Sequence, residues 1–233
     1  MYPIKYPNIS KKIDNSIINF NYINIMNTLS DKEMHRGTLY IRIGPMFSGK
    51  TSWLNSELTQ LADKKFRVLK IIHADDDRQD VEINDNSGST HNSSYKSLSS
   101  KISVVRTSEL THIDIDNFHV IGVDESQFFS DLLSVVEDWV ERKGKHVRVA
   151  GLDGDAFKRK FGQTLDLIPM SDEVVKLSAS CQICLRELEA KEFHGNILSI
   201  VGPFTRRLGL SLEQKVIGGK DEYIPVCRFH HCS

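Results

Sequence analysis

Gly44-Pro45-Met46-Phe47-Ser48-Gly49-Lys50-Thr51 fits G-x-x-x-x-G-K-[ST] at each fixed position. Glycines at both ends let the backbone turn tightly, so that successive N–H groups converge on phosphate oxygens. The eight residues are therefore the candidate ATP-binding loop. Lys50 is placed to reach the β- and γ-phosphates, and the Thr51 hydroxyl to hold Mg2+. A second feature is Asp124-Glu125-Ser126-Gln127-Phe128-Phe129, an acidic pair closing the apolar run Val120–Val123. An apolar strand ending in acid downstream of a phosphate loop has the form of a Walker B segment, in which Asp124 serves Mg2+ directly or through water. Glu125 beside it is the candidate general base, because phosphoryl transfer to an alcohol needs a proton acceptor near the attacking oxygen. The blander reading, two solvated acids at a strand end, is the weaker one beside a phosphate loop, since α/β sheets bind ligands at strand carboxyl ends.

The cysteines carry different chemistry. None precedes Cys181, and Cys181-x-x-Cys184 is answered by Cys227-Arg228-Phe229-His230-His231-Cys232. Zn2+ takes four tetrahedral sulfur or nitrogen ligands, and two such knuckles supply them. Cys181, Cys184, Cys227 and His230 are the expected set, with His231 or Cys232 able to replace His230 on spacing alone. Four protein ligands make such a metal structural. A redox C-x-x-C would open a helix in a thioredoxin-like pattern, which the sequence does not suggest.

These groups need elements to position them. Thr38 to Ile43 reads as a strand running into the phosphate loop, and Lys50 to Lys65 as a helix with Trp53, Leu54, Leu58 and Leu61 at helical spacing. Further strands are expected at Arg67–His73, Ile102–Arg106, Asn117–Val123, Val147–Leu152 and Glu173–Ser178, with an amphipathic helix at Asp131–Arg142. Strands alternating with helices imply an α/β fold, a P-loop NTPase-type parallel sheet flanked by helices. Residues 1–37 read as a weakly ordered appended arm, and 38–180 as the nucleotide-binding domain. Residues 181–233 read as a small zinc-ribbon-like domain holding a long, structureless loop from Leu185 to Val226. The polar run 84–100, with His91, reads as a mobile loop.

Composition bounds the partners. In 233 residues, 39% hydrophobic and 26% charged, 30 basic side chains face 31 acidic ones. That balance leaves no electrostatic footprint for nucleic acid or an anionic membrane and favours a small-molecule partner. No run approaches the ~20 apolar residues of a membrane span. A cytoplasmic location is the expectation.

Taken together, GPMFSGKT (44–51), DESQFF (124–129), LDGDAFKRKFG (152–162), VVKLSASCQIC (174–184), TRRLG (205–209) and VIGGKDEYIPVCRFH (216–230) resemble the type II thymidine kinases, the zinc-containing cytosolic family of animals, many bacteria and large DNA viruses. The resemblance runs from about Thr38 to His230. It implies transfer of the ATP γ-phosphate to the 5′-hydroxyl of thymidine, in nucleotide salvage for DNA synthesis. It further implies Glu125 as base, and Lys50, Thr51 and Asp124 as ATP and Mg2+ residues, with Gln127 among the ATP-binding set. Asp76 and Arg78 match the family's Asp-x-Arg segment. Phe128, Phe157, Thr205, Val216 and Tyr223 are implied near the nucleoside, the last three on a lasso that closes over it. Thymidine triphosphate as feedback inhibitor and a homotetramer are implied as well. Ala156 stands where the family has an aromatic residue and Phe157 follows. The stretch Glu189 to Pro203 is extra. Deoxyuridine is an alternative substrate. A nucleotide-hydrolysing switch or nucleic-acid module is a different class, disfavoured because 181–233 is not basic.

Overall fold

The structure, a computed structural model, describes residues 37–76, 101–190, 200–209 and 222–232. All of these belong to one unit, Gly37–Ser233; the separate unit Met1–Arg36, expected as an appended arm, lies outside them. Arg78, the 84–100 loop with His91, most of the extra stretch 189–203, and Val216 also lie outside the described residues.

The apolar, β-branched runs become strands because they are covered on both faces, as parallel central strands must be. In chain order the first elements are β1 (Thr38–Ile43), α1 (Lys50–Asp63), β2 (Val68–His73), β3 (Ile102–Thr107), β4 (Val120–Val123), α2 (Leu132–Glu137), β5 (His146–Gly151) and β6 (Glu173–Lys176). The sheet runs β3-β2-β4-β5-β1-β6, and each neighbouring pair is parallel. On one face Leu54, Leu58 and Ala62 of α1 pack on Val68, Ile102, Val120 and Ala150. On the other, Phe129, Leu132, Val136 and Trp139 cover Leu39, Ile41, Ile71, Ile121 and Val149. Parallel pairing turns the carboxyl ends of β1, β4 and β5 to one edge of the sheet, where the loops carrying the acidic pair and Gly44–Thr51 emerge.

Two expectations need correction. Asn117 to His119 do not extend β4, because Phe118 N–H bonds to Ile115 in a turn and His119 N–H to Arg67. The helix expected over Asp131–Arg142 widens after Glu137 into a π-helical turn, Asp138–Arg142. There the consecutive residues Trp139 and Val140 are both buried, and the wider turn narrows the angle between successive side chains so that both meet the core.

The larger correction concerns the C-terminal part. Leu185–Val226 is not structureless at its ends. β7 (Ala179–Ser180) pairs antiparallel with β8 (Val201–Gly202), and β9 (Phe204–Arg207) with β10 (Tyr223–Val226). α3 (Gln182–Glu189) follows Cys181 and α4 (Arg228–Cys232) follows Cys227. The C-x-x-C therefore does open a helix. Among the described residues no helix is long and apolar enough to cross a membrane.

Candidate functional site

Gly44–Thr51 leaves the buried end of β1 and delivers Lys50 and Thr51 to the first turn of α1. Gly44 sits where a side chain cannot: its φ is +148°, and an added Cβ would lie 2.4 Å from the Leu177 carbonyl oxygen. Lys50 is buried, and its ammonium donates to the Pro45 carbonyl at 2.6 Å. The Met46 N–H donates to the Thr205 hydroxyl on β9 at 3.1 Å, so the loop is tied to the C-terminal part of the chain.

Thr51 reaches across to the acidic pair, and its hydroxyl donates to Asp124 Oδ1 at 3.0 Å. Glu125 N–H bonds the same oxygen at 3.1 Å. The backbone of Glu125 is left-handed, φ 48° and ψ 43°, a conformation costing a non-glycine residue of the order of 1 kcal/mol or more and concentrated at functional sites. Its carboxylate accepts from Gln127 Nε2 at 2.6 Å. Gln127 is itself fixed, because its Oε1 accepts the Leu152 N–H at 2.9 Å. Gln127 thus orients Glu125, a role for which its spacing gave no signal. Ser126 anchors the same turn through a 2.8 Å hydroxyl contact with Thr164.

Gly162 lets this arrangement close. Its φ is +61°, and an added Cβ would fall 2.1 Å from the Gln127 carbonyl oxygen. Gly162→Ala combines positive-φ strain with a backbone clash, so we expect a loss of about 2 kcal/mol or more. Thermal denaturation checks the stability change. An activity loss exceeding the loss of folded protein would report displacement of Gln127.

Phe128 lies 5.4 Å from the His73 ring and 5.7 Å from Phe161, forming an aromatic wall beside Glu125. Phe157 does not join it; it is 40% exposed and packs against the Arg159 guanidinium at 4.8 Å. Asp155 builds that loop by accepting the Phe157 and Arg159 N–H groups. Tyr223 is buried on β10, and its hydroxyl accepts from Arg207 Nη2 at 2.9 Å. The sequence reading missed Lys70. Lying in the wholly buried β2, it sends its ammonium to Asp124 Oδ2 at 3.1 Å and to Asn55 Oδ1 at 2.8 Å.

The second cluster is formed by Cys181, Cys184, Cys227 and His230, all buried, whose donor atoms lie within 4.8 Å of one another. Of the three candidates for the fourth position the structure brings in His230: His231 Nε2 turns to the Ala156 carbonyl at 3.0 Å, and Cys232 is exposed. His230 Nδ1 faces the three sulfurs at 3.3–3.5 Å, while Nε2 meets Glu187 at 3.1 Å. Burial raises the Cys181 thiol, but N–H donors at Cys184 and Cys227 and the His230 ring outweigh it and hold the pKa at about 7. Burial, then the sulfurs of Cys181 and Cys227, push Cys184 to about 12. Cys181 forms a thiolate readily and Cys184 needs a cation beside it to do so, which is the donor chemistry of a zinc site. The helix opened by Cys181 does not revive a redox pair, because two further metal donors close the cluster. Thr51 and Asp124, a hydroxyl and a carboxylate in contact, are likewise an oxygen donor set suited to Mg2+.

The family model described as thymidine kinase matches residues 37–231. A cytosolic thymidine kinase of Bos taurus is 33% identical over 207 residues, covering 88% of this chain and 77% of its own. A thymidine kinase of Monkeypox virus is 34% identical over 195 residues, 84% of this chain and 97% of its own. A thymidine kinase of Oryza sativa is 35% identical over 198 residues, and that match spans 66% of the rice protein. With the match running from the residue before β1 into α4 and taking in both clusters, the chain belongs to the thymidine kinase family.

Proposed function

We propose that this protein transfers the γ-phosphate of ATP to the 5′-hydroxyl of thymidine, giving thymidine monophosphate and ADP. Membership of the thymidine kinase family supports an enzyme that phosphorylates thymidine. The observation that carries the mechanistic reading is the 3.0 Å bond from Thr51 to Asp124, which joins the glycine-flanked loop to an acidic pair 73 residues away. Gly44–Thr51 acts as a P-loop, its amides and the Lys50 ammonium neutralising charge on the transferring phosphoryl group. Thr51 and Asp124 would hold the Mg2+ that accompanies ATP, which would supply further neutralisation of that charge. Glu125 accepts the 5′-hydroxyl proton as that oxygen attacks the γ-phosphorus and the bond to the β-phosphoryl oxygen breaks. Gln127 keeps the carboxylate aimed. By the family resemblance Phe128, Thr205, Val216 and Tyr223 are the nucleoside-binding residues, and water must be kept from the γ-phosphoryl group, since its attack would waste ATP. Phe157, turned toward Arg159, takes part only if its loop rearranges.

Residues 38–180 serve as the nucleotide-binding part, and in 181–233 Cys181, Cys184, Cys227 and His230 would hold a structural Zn2+ that ties that part together. A homotetramer, feedback inhibition by thymidine triphosphate, a role in DNA-precursor salvage and a cytoplasmic location complete the reading by analogy with the family.

The test is ADP release with ATP and Mg2+ in the presence of thymidine, deoxyuridine, deoxycytidine or no acceptor. Release is expected with thymidine, more weakly with deoxyuridine, and not without an acceptor. Acceptor-independent hydrolysis would overturn the kinase reading and favour a nucleotide switch.

A further inference from the structure

We propose that Lys70 is a positioning residue of the phosphoryl-transfer centre, holding Asp124 by one oxygen so that the other stays turned to Thr51, and weakening the hold of Asp124 on Mg2+ until nucleotide arrives. The proposal rests on the kinase reading above. Every residue of β2 is buried, and Lys70 is 3% exposed in the middle of it. A cation in such a strand is costly to desolvate, and a well-packed apolar residue would serve stability as well or better. The charge is therefore best explained by what it faces. Its ammonium lies 3.1 Å from Asp124 Oδ2, with both side chains 4% exposed, and 2.8 Å from Asn55 Oδ1 on α1.

Asp124 is gripped at both ends as a result. Oδ1 accepts from Thr51 and from Glu125 N–H, and Oδ2 faces Lys70. Rotation of the carboxylate would break contacts on both sides. Lys70 is also distinct from the loop lysine, since Lys50 turns to the Pro45 carbonyl and belongs to the phosphate side of the site.

The pairing has an electrostatic consequence. A divalent cation approaching Asp124 meets an ion pair of little net charge rather than a bare carboxylate, so Mg2+ alone has little to hold it. ATP brings the missing negative charge. Loading the metal together with nucleotide suits a site that must not trap Mg2+ unproductively. A comparable pair on β5 shows what a purely structural cation does in this fold. Buried Arg148 bonds Glu57 of α1 at 3.1 Å and stacks on Tyr40 at 4.0 Å.

The experiment compares wild type, Lys70→Met and Asn55→Leu in the full chain, with two readouts. One is steady-state kinetics against thymidine and Mg2+. The other is the melting temperature in Mg2+ without nucleotide. Lys70→Met should lower kcat about tenfold or more with KM for thymidine little changed, since a misaimed charged group costs rate rather than binding. Its half-saturating Mg2+ should fall about threefold or more, and Mg2+ alone should raise its melting temperature but not that of wild type. Asn55→Leu removes only the tether and should shift each value the same way, less far. It decides the matter if Lys70→Met does not fold. A merely structural Lys70 predicts lost stability with kcat per folded molecule and Mg2+ dependence unchanged, and that result would overturn the proposal. So would an increased Mg2+ requirement. Failure of the kinase reading would show separately, as absence of thymidine-dependent turnover in wild type, while the nucleotide-free Mg2+ melt would still report on Lys70 and Asp124.

Discussion

Glu125→Gln is expected to lower kcat by roughly 10²-fold or more while leaving KM for thymidine and the melting temperature close to wild type. The substitution preserves size and the 2.6 Å partnership with Gln127, because an amide oxygen can accept from Nε2 as the carboxylate does. It removes only the ability to take the 5′-hydroxyl proton. The left-handed backbone at position 125 is unchanged, so the strain at φ 48° is present in both proteins. Steady-state kinetics with thymidine, beside thymidine binding measured by calorimetry, separates the two effects. A variant retaining more than about a fifth of wild-type kcat would remove Glu125 from the role of base, since proton transfer by a positioned side chain contributes at least about 10². Gln127→Leu should be worse for the fold than Glu125→Gln is, since it orphans the buried Leu152 N–H as well as releasing Glu125.

The parts of this site that were readable in the sequence are those whose chemistry depends on local spacing. The glycine-flanked loop needs eight consecutive residues, and the acidic pair needs an apolar run before it; both sit where a parallel sheet gathers its strand ends. Lys70 was invisible for the opposite reason. In Val68-Leu69-Lys70-Ile71-Ile72-His73 a single cation looks like a break in the apolar pattern, and its meaning depends on Asn55 and Asp124, which the fold supplies from α1 and the end of β4. Gln127 was noticed for its place in a motif and not for its task, which requires Leu152 from the next strand connection. The short strands β7 to β10 escaped for want of length. Two to four residues show no periodicity, and their pairing is fixed by partners beyond the sequence window. The choice of His230 over His231 could not be made from spacing either; the geometry of α4 turns one ring to the sulfurs and the next to Ala156.

Removal of metal from the Cys181, Cys184, Cys227 and His230 cluster is expected to have the largest effect on the fold, and through it on activity. Among the described residues, Ile224, Val226 and the partly buried Ile183, Ile200 and Phe204 form the core around these side chains, too small to hold β7–β10, α3 and α4 by apolar burial alone. Structural zinc contributes of the order of 10 kcal/mol in small zinc domains, comparable to the whole stability of an ordinary domain. Without it, three buried sulfurs crowd around an imidazole that Glu187 holds from the far side. The loss should not stay local. Thr205, which accepts the Met46 N–H, stands on β9 in this same part, so its release removes a support from the glycine-flanked loop. We therefore expect Cys227→Ser, or prolonged treatment with a strong chelator, to abolish metal content, lower the melting temperature by tens of degrees or split the transition, and reduce thymidine phosphorylation by about 10²-fold or more. Zn2+ returned to the chelated protein should restore activity, and Mg2+ should not. Glu187→Gln, which weakens the hydrogen bond to His230 Nε2 without touching a donor atom, should lower metal affinity about tenfold and leave the metal-loaded rate unchanged. Full activity and an unchanged melt in protein shown by metal analysis to be zinc-free would mean that the four side chains hold the fold without a cation, and that the link from this cluster to the phosphate loop carries no functional weight.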